Sequence, residues 1–277
     1  MVTPENQQIT LQDVSYQLAN NGLLQHINTQ FNCGEISVIL GKNGAGKSTL
    51  LSLLTKELSP TEGQIIWQDT PLKQLNYAQL AVQRAVLPQQ QSFVFSLSVQ
   101  QLVELGAEVQ PKSQPAEVDK ICQQLMALCD VQHLAQRDVV TLSGGEQKRA
   151  QLAKVLAQIW PMNDADKTIE KPFLGRWLLL DEWTNSLDLH HQQRLAKLFK
   201  TWAKAGLGIV MVLHDINLCA QIADKVVMLN QAKLTKQGSP AEVLTQETIY
   251  NELSLKTTVL QVDGIEHPVI LPTQGIK

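Results

Sequence analysis

The sequence feature that most constrains this fold is a glycine-rich turn between an apolar run and a helical pattern. Residues 41–48 read GKNGAGKS and match the pattern GxxxxGK[ST]. The apolar run 36–40 precedes the turn, and an apolar-periodic stretch at 48–56 follows it. Glycines let backbone N–H groups turn inward around phosphate oxygens, and the start of the following helix attracts the same anion. The sequence therefore predicts a phosphate site on a strand–turn–helix unit.

The residue types in this turn indicate which atoms contact a nucleotide. The Lys47 ammonium can reach the β- and γ-phosphates of ATP, and the Ser48 hydroxyl can ligate Mg²⁺. The alternative is a glycine-rich turn without a ligand, which the flanking strand and helix disfavour. We predict nucleotide contacts from Gly41, Lys42, Asn43, Gly44, Ala45, Gly46, Lys47, Ser48 and Thr49.

Two acidic residues, Asp181 and Glu182, directly follow the apolar run 177–180. In open α/β sheets, ligands bind at the carboxyl ends of the strands. Asp181 can hold Mg²⁺ through its water shell, and Glu182 can polarise a water for attack on the γ-phosphorus. Adjacent acids are also common at ordinary turns, so the catalytic interpretation depends on the phosphate loop in the same chain.

Alternating apolar runs and helical patterns predict the fold class. Further apolar runs at 208–213 and 225–229 alternate with helical patterns at 191–203 and 217–223. Runs this apolar fit strands that are covered on both faces of a largely parallel sheet. The alternation predicts an α/β fold built from right-handed crossovers.

Two segments depart from this alternation. Residues 9–31 contain β-like patches around the turn sequence ANNG, which predicts a small antiparallel sheet. Residues 96–158 carry helical patterns at 118–128 and 147–159, which predict a helical insert. The polar stretch 161–176 predicts a surface loop.

A second potential anion site lies in the helical insert. Ser143 stands where it can cap the helix predicted from residue 147, and Gly144 and Gly145 follow it. One chain would then hold two phosphate sites, with Ser143 far along the sequence from Lys47. A head-to-tail C₂ dimer explains this arrangement, because each ATP then lies between the loop of one copy and the Ser-Gly-Gly turn of the other.

The residues LSGGEQ at 142–147 resemble the signature motif of ATP-binding-cassette (ABC) ATPases, and the other family motifs occur in the expected order. By this resemblance, Gln89 is the Q-loop glutamine, which contacts Mg²⁺ or the attacking water and senses a permease. Asp188, in SLD at 186–188, lies in the D-loop that crosses the dimer. His214 is the switch histidine that contacts the γ-phosphate. Outside this ordered set, Gln89 would be an ordinary loop residue and His214 a structural histidine.

The resemblance covers roughly residues 9–245 and implies a complete architecture. It implies a P-loop NTPase (RecA-like) core with a parallel sheet, a small N-terminal antiparallel β-subdomain and a helical signature-motif subdomain. A single ABC ATPase domain would span the chain, divided into a nucleotide-binding core at about 1–95 and 160–245, a helical subdomain at about 96–159 and a C-terminal extension at 246–277.

Trp183, the histidines at 190 and 191, and Tyr16 stand outside the ordered motifs. Trp183 follows Glu182 where the family usually has a proline; proline fixes φ and tryptophan does not, so we expect Trp183→Pro to keep or raise activity. The histidines at 190 and 191 are interpreted as surface residues at a helix start. Relatives stack an aromatic ring on adenine at the position of Leu18, so the nearby Tyr16 is predicted as the adenine contact.

Charge and apolar content narrow the class of function. The formal net charge of −3 lacks the basic stripe of a nucleic-acid binder, so we expect no nucleic-acid partner. No run approaches the ~18 apolar residues that span a bilayer, so a membrane role would need docking to another chain.

An ABC protein of DNA repair would carry long coiled-coil insertions, and one of translation would carry two cassettes. A transport motor is therefore favoured, with an exporter half as an alternative.

Finer resemblance points to importers. Residues 84–103 and 238–253 are similar to the ATPases that import iron chelates, haem and cobalamin, and 159–180 most resembles the haemin-importing ATPases. This implies a homodimer that uses ATP and Mg²⁺ on the cytoplasmic face of the bacterial inner membrane. Its partners would be two copies of an integral membrane permease and, indirectly, a periplasmic substrate-binding protein. It would not contact the cargo, for which a ferric siderophore or cobalamin is the alternative.

Overall fold

The structure is a computed structural model that describes five stretches of the chain, residues 7–19, 21–89, 96–110, 115–161 and 171–273. The chain divides into two compact units. The first combines Met1–Gln74 with Val210–Lys277, and the second is Leu75–Ile209. Most of the predicted surface loop at 161–176, and the middle of the importer-like stretch 84–103, lie outside the described residues.

The described elements alternate between strands and helices along most of the chain. The strands are β1 (Gln8–Leu18), β2 (Asn21–Asn32), β3 (Ile36–Gly41), β4 (Glu62–Trp67), β5 (Thr70–Pro71), β6 (Arg84–Leu87), β7 (Trp177–Asp181), β8 (Gly208–Val212), β9 (Lys225–Asn230), β10 (Lys233–Gly238), β11 (Thr257–Leu260) and β12 (Val269–Pro272). The helices are α1 (Lys47–Leu54), α2 (Tyr77–Ala81), α3 (Val99–Ala107), α4 (Pro115–Leu128), α5 (Gly144–Ile159), α6 (Leu189–Lys204), α7 (Ile216–Ile222), α8 (Pro240–Val243) and α9 (Gln246–Leu253).

The first unit contains the antiparallel sheet that the sequence predicted near the N-terminus. Its strand order is β2-β1-β4-β5, and neighbouring strands run antiparallel. Ile9, Leu11 and Val14 of β1 are at most 2% exposed, while Gln12 and Asp13 face solvent. One buried face and one solvated face are typical of antiparallel sheets.

The same unit holds parallel strands that carry the phosphate loop. The order here is β10-β9-β3-β8; β3 and β9 are parallel, with Val38 opposite Val226. Residues 36–40 are all buried, which explains why the run is continuously apolar rather than alternating. The boundary between the two units falls within β8, and its residues 210–212 belong to the first unit.

The second unit combines a strand pair with packed helices. Strands β6 and β7 pair in parallel, from Arg84 opposite Trp177 to Leu87 opposite Leu180. Helices α3, α4 and α5 pack on one another, and Gly106 marks a close approach, because a Cβ there would stand 2.0 Å from the Lys154 carbonyl oxygen. Helices therefore occupy the described part of the stretch where the sequence predicts a helical insert.

Strand β6 was not predicted from the sequence as a strand. Its four residues, RAVL, begin with an arginine and are too short to show a period. Pairing with β7 buries Arg84, Ala85 and Leu87, so tertiary context creates the strand.

Strands β11 and β12 form a two-stranded antiparallel ribbon in the first unit. The Asn217 amide of α7 binds the Ile270 backbone on both sides, donating to its carbonyl at 2.9 Å and accepting from its N–H at 2.8 Å.

None of the helices within the described stretches has the length and apolarity needed to cross a bilayer.

Candidate nucleotide-binding and hydrolysis site

The glycine-rich turn joins β3 to α1, as the sequence predicted. Gly41 and Gly46 are required by close approaches of other backbone: a Cβ would stand 2.2 Å from the Leu229 oxygen at Gly41 and 2.6 Å from the Leu23 oxygen at Gly46. Gly46 also has φ +100°, in the left-handed region that favours glycine. A side chain at either position would collide with its neighbours, so this turn depends on both glycines.

Lys47 begins α1 and is 6% exposed. Its ammonium donates to the carbonyl oxygens of Gly41 at 2.9 Å and Lys42 at 3.0 Å, which holds the charge inside the turn. The first turn of α1 contains no acidic residue, and Ser48 there is exposed. The buried cationic side chain and the positive end of the helix together suit an anion such as a phosphate.

Tyr16 lies on β1, one strand away from this turn. Gly46 packs against Leu23 and Leu24 of β2, and Leu24 is the cross-strand partner of Tyr16. Tyr16 is half-buried, whereas Leu18 is 60% exposed. This placement is compatible with Tyr16 as the adenine contact, which stays a prediction.

His214 belongs to the same unit as the phosphate loop and stands between two well-anchored elements. It is exposed and follows β8, every residue of which is buried. The next residue, Asp215, caps α7 by accepting from the N–H groups of Asn217 and Leu218 at 2.8 and 3.0 Å. His214 is therefore presented to solvent on a short turn at the carboxyl end of a buried strand.

In the second unit, the structure brings together Glu182 and Gln89, two of the residues predicted to form the site. The Gln89 amide donates to Glu182 Oε2 at 2.7 Å. Because β6 and β7 pair in parallel, the residues just after their carboxyl ends meet at one edge. Asp181, the last residue of β7, is half-buried beside them.

Asn185 is a member of this cluster that sequence reasoning missed. Its amide donates to the same Glu182 oxygen at 2.7 Å. The sequence signal that could have revealed it is its position three residues after Glu182, because a turn can bring such an amide back to the glutamate. The hydrogen bond from the Asn185 N–H to the Glu182 carbonyl oxygen closes that turn. Two donors on one oxygen orient the carboxylate.

The signature residues open helix α5 with a capping box. The Ser143 oxygen accepts from the Glu146 N–H at 3.4 Å, while the Glu146 carboxylate accepts from the Ser143 N–H and hydroxyl at 2.8 Å each. These bonds lower the pKa of the Glu146 carboxyl. Ser143 and Gly144 are exposed. The start of a sixteen-residue helix therefore presents Ser143 and Gly144 to solvent.

The D-loop touches this helix start in the same chain. A Cβ on Gly145 would stand 2.7 Å from the Ser186 carbonyl oxygen, so glycine is needed for the contact. Asp188 caps α6 by accepting from the His191 N–H at 2.9 Å. The exposed Asp188 carboxyl has a lowered pKa, because the His191 backbone and ring both bind it.

His191 lies at the start of α6, as interpreted, but it is half-buried and bridges two carboxylates. Its Nδ1 is 2.9 Å from Asp188, its Nε2 is 3.1 Å from Asp130 Oδ2, and its side chain is 16% exposed. Arg149 stands 3.9 Å from the same Asp130 oxygen. Only His190 is exposed as expected. Asp130 is distant in sequence, so no local pattern could have revealed this bridge.

A glycine-rich phosphate loop between a buried parallel strand and a helix, with carboxylates after another parallel strand, defines a P-loop nucleotide-binding protein. The family model described as ABC transporter matches residues 24–166. The chain belongs to the ABC transporter family.

Relatives match along nearly the whole chain. The Hemin import ATP-binding protein HmuV of Escherichia coli O157:H7 is 38% identical over 264 residues, covering 95% of this chain and 98% of that one. The HmuV of Gloeobacter violaceus is 39% identical, with 94% and 92% covered.

Solved structures agree with the fold. CbiO1 of Clostridium perfringens, part of the ABC transporter complex cbiONQ, superposes with a TM-score of 0.69 at 27% identity, covering 88% of this chain and 92% of that one. The dimeric bacterial ABC transporter cassette MJ0796 superposes with a TM-score of 0.71 at 23% identity, with 84% and 98% covered.

Proposed function

We propose that this chain is the ATP-hydrolysing motor of an importer that carries haem across a bacterial inner membrane. The hydrolytic part rests on one observation above all: Gln89 and Asn185 hold the Glu182 carboxylate at the end of a buried strand. The cargo rests on similarity to hemin import proteins over nearly the full length of both chains.

In this proposal the phosphate loop binds ATP. Backbone N–H groups of 42–46 and the start of α1 surround the phosphates, and Lys47 exchanges its carbonyl contacts for the β- and γ-phosphate oxygens. Tyr16 supports the adenine ring. His214 contacts the γ-phosphate from the turn after β8.

The oxygen donors Ser48, Gln89 and Asp181 suit Mg²⁺, which prefers hard oxygen ligands and few from the protein. Across the described residues, no cluster of three or more His, Cys, Asp or Glu side chains could hold a metal by itself. That fits an ion held mainly by nucleotide and water. When bound, Mg²⁺ would neutralise charge on the transferred phosphate.

Glu182 acts as the base for the attacking water. One oxygen is fixed by Gln89 and Asn185, so the other is oriented to take the proton as water attacks the γ-phosphorus. Catalysis otherwise consists of positioning and charge neutralisation, which is the usual pattern in phosphoryl transfer.

Two copies of the chain form the working unit. The exposed Ser143 and Gly144, together with the half-buried Gly145, bind the γ-phosphate of the partner's ATP, and Asp188 lies at the dimer boundary. ATP favours the closed dimer because only there do both half-sites contact one nucleotide. Closure and reopening would move two permease subunits from the cytoplasmic face; a periplasmic binding protein delivers the cargo, which this chain does not touch.

The proposal is tested by deleting this chain in its host and supplying iron only as haem, only as a ferric siderophore, or as both. We expect loss of growth on haem alone. Wild type and the control Glu247→Gln, an exposed glutamate of α9, should restore it, whereas Glu182→Gln should not.

Purified Glu182→Gln should bind ATP and lose about 100-fold or more in turnover. Undiminished turnover in this variant would remove Glu182 from the base role. Normal growth of the deletion on haem, with failure on the siderophore or on cobalamin-dependent medium, would replace the cargo and keep the motor. Normal growth in every condition would instead favour an ABC ATPase outside transport.

A further inference from the structure

Lys148, in the second turn of α5, is a buried cation that the proposed mechanism does not use. It is 7% exposed. Burying an ammonium is costly unless hydrogen bonds replace the lost water. The partners of this group therefore show what its burial achieves.

The Lys148 ammonium donates to two consecutive backbone oxygens, those of Pro88 at 2.9 Å and Gln89 at 3.1 Å. Gln89 is the residue whose side chain orients the Glu182 carboxylate at 2.7 Å. The backbone of Gln89 is thus held by Lys148 at the point where its side chain reaches the candidate base.

The same ammonium lies within electrostatic range of the two site carboxylates. Burial lowers the pKa of Lys148, and the charges of Asp181 and Glu182 act in the opposite direction and favour the ammonium form. The charge therefore stands beside the acids that hydrolysis uses.

Helix α5 connects this contact to the signature residues. Ser143 caps the helix, and Lys148 stands little more than one turn further along the same rigid rod. Any displacement of the helix start is carried directly to the carbonyl oxygens of Pro88 and Gln89.

We propose that Lys148 is a positioning residue for ATP hydrolysis: it ties helix α5 to the backbone of Gln89 and so keeps the Gln89 amide on Glu182. This rests on the proposed function, in which Ser143 binds the partner's ATP and Glu182 activates water. When Ser143 at the start of α5 binds the partner's ATP, the helix thereby also positions Glu182 in its own chain.

The first test compares Lys148→Met with wild type in the full-length protein. Methionine has a similar stem and no donor. We expect kcat for ATP hydrolysis to fall about 10- to 100-fold, since small misplacements of catalytic groups cost that much, and KM for ATP to change by less than about threefold. Lys154→Met, on the same helix and half-exposed, is the matched control and should keep wild-type kinetics. A kcat of Lys148→Met within about twofold of wild type would overturn the proposal.

A double-mutant cycle with Gln89→Ala separates positioning from general loss of structure. If Lys148 acts through Gln89, adding Lys148→Met to Gln89→Ala should lower kcat by less than about twofold further. The full single-mutant loss repeated in that background would contradict the proposal. If Lys148→Met does not fold, Lys148→Leu, which also lacks a donor, takes its place under the same two criteria.

Glu182→Gln is assayed in parallel to distinguish failure of the Lys148 positioning role from failure of the proposed hydrolytic mechanism. Lost turnover in Glu182→Gln with unchanged kcat in Lys148→Met would sink the positioning role alone. Retained turnover in Glu182→Gln would sink the proposed mechanism itself.

Discussion

At the scale of single residues, Trp183 shows how this chain supports its candidate base without the family's usual proline. Its ring is 1% exposed and meets Phe199 of α6 edge-to-face, with ring centroids 5.0 Å apart. Glu182 itself has φ +47°, a left-handed conformation that costs a non-glycine residue about 1–2 kcal/mol. The buried strand before Glu182 and the buried ring after it hold that turn in place.

We expect Trp183→Ala to lower both stability and turnover. Removing a fully buried tryptophan should reduce the free energy of unfolding by about 3–5 kcal/mol, because it loses apolar burial and leaves a cavity. Loosening the Glu182 turn should lower kcat beyond any loss of folded protein. Urea unfolding followed by steady-state kinetics on the folded fraction measures the two effects.

Trp202→Ala is the matched control, since Trp202 is buried in the same aromatic group and contacts Phe199. It should lose comparable stability and keep kcat. Equal kcat losses in both variants would show that Trp183 has no special effect on Glu182. The expectation that Trp183→Pro keeps or raises activity stays a prediction. We expect this variant also to lose stability, because proline cannot fill the space beside Phe199.

At the scale of elements, helix α5 carries the signature residues at its start and is defined there by the Ser143–Glu146 capping box. The box satisfies two N–H groups that a helix start leaves without intrahelical partners. Its carboxylate takes hydrogen bonds that lower the pKa of Glu146. The folded state of this helix start is therefore linked to pH.

We expect Glu146→Gln to reduce the fall of Tm that wild type shows as the pH is lowered. With a lowered folded-state pKa, the Glu146 contribution is complete above the unfolded-state pKa, about 4.3, and is lost as pH falls through the folded value. Glutamine can complete a capping box at any pH. Between about pH 6 and about pH 3, the Tm of wild type should therefore fall further than that of Glu146→Gln.

Glu247→Gln controls for the removal of one negative charge in a helical first turn. It should follow the wild-type pH dependence. Parallel curves for wild type and Glu146→Gln would show that the capping carboxylate contributes no pH-dependent stability.

At the scale of the whole molecule, the central prediction is a composite site shared between two copies. Each chain carries one phosphate loop with Lys47 and one exposed signature turn with Ser143. In a head-to-tail C₂ dimer, a lesion in either motif inactivates both sites of a homodimer. A mixed dimer behaves differently, because both lesions fall into one site.

We expect inactive Lys47→Ala and inactive Ser143→Arg proteins to restore ATPase activity when mixed. Random exchange makes about half of the dimers mixed, each with one intact site, so about a quarter of the wild-type sites return. ATPase assays on mixtures of varied ratio measure this. A mixture that never exceeds its more active parent would rule out shared sites.

Much of this protein could be predicted from sequence because the determining patterns are local. The phosphate loop, the Ser143 cap and the acids after β7 each depend on a few consecutive residues, whose backbone preferences and apolar period are visible directly. The α/β alternation and the antiparallel sheet near the N-terminus are confirmed for the same reason.

The remaining features depend on contacts between residues that are distant in sequence. Sheet pairing made a strand of β6, and packing buried Trp183 against Phe199. The bridge from His191 to Asp130 and the hold of Lys148 on Gln89 join separate segments. Local preference determined most of the elements and the predicted position of the phosphate site. The tertiary structure decided how the candidate catalytic side chains are oriented, because burial and hydrogen bonding act between segments that only folding brings together.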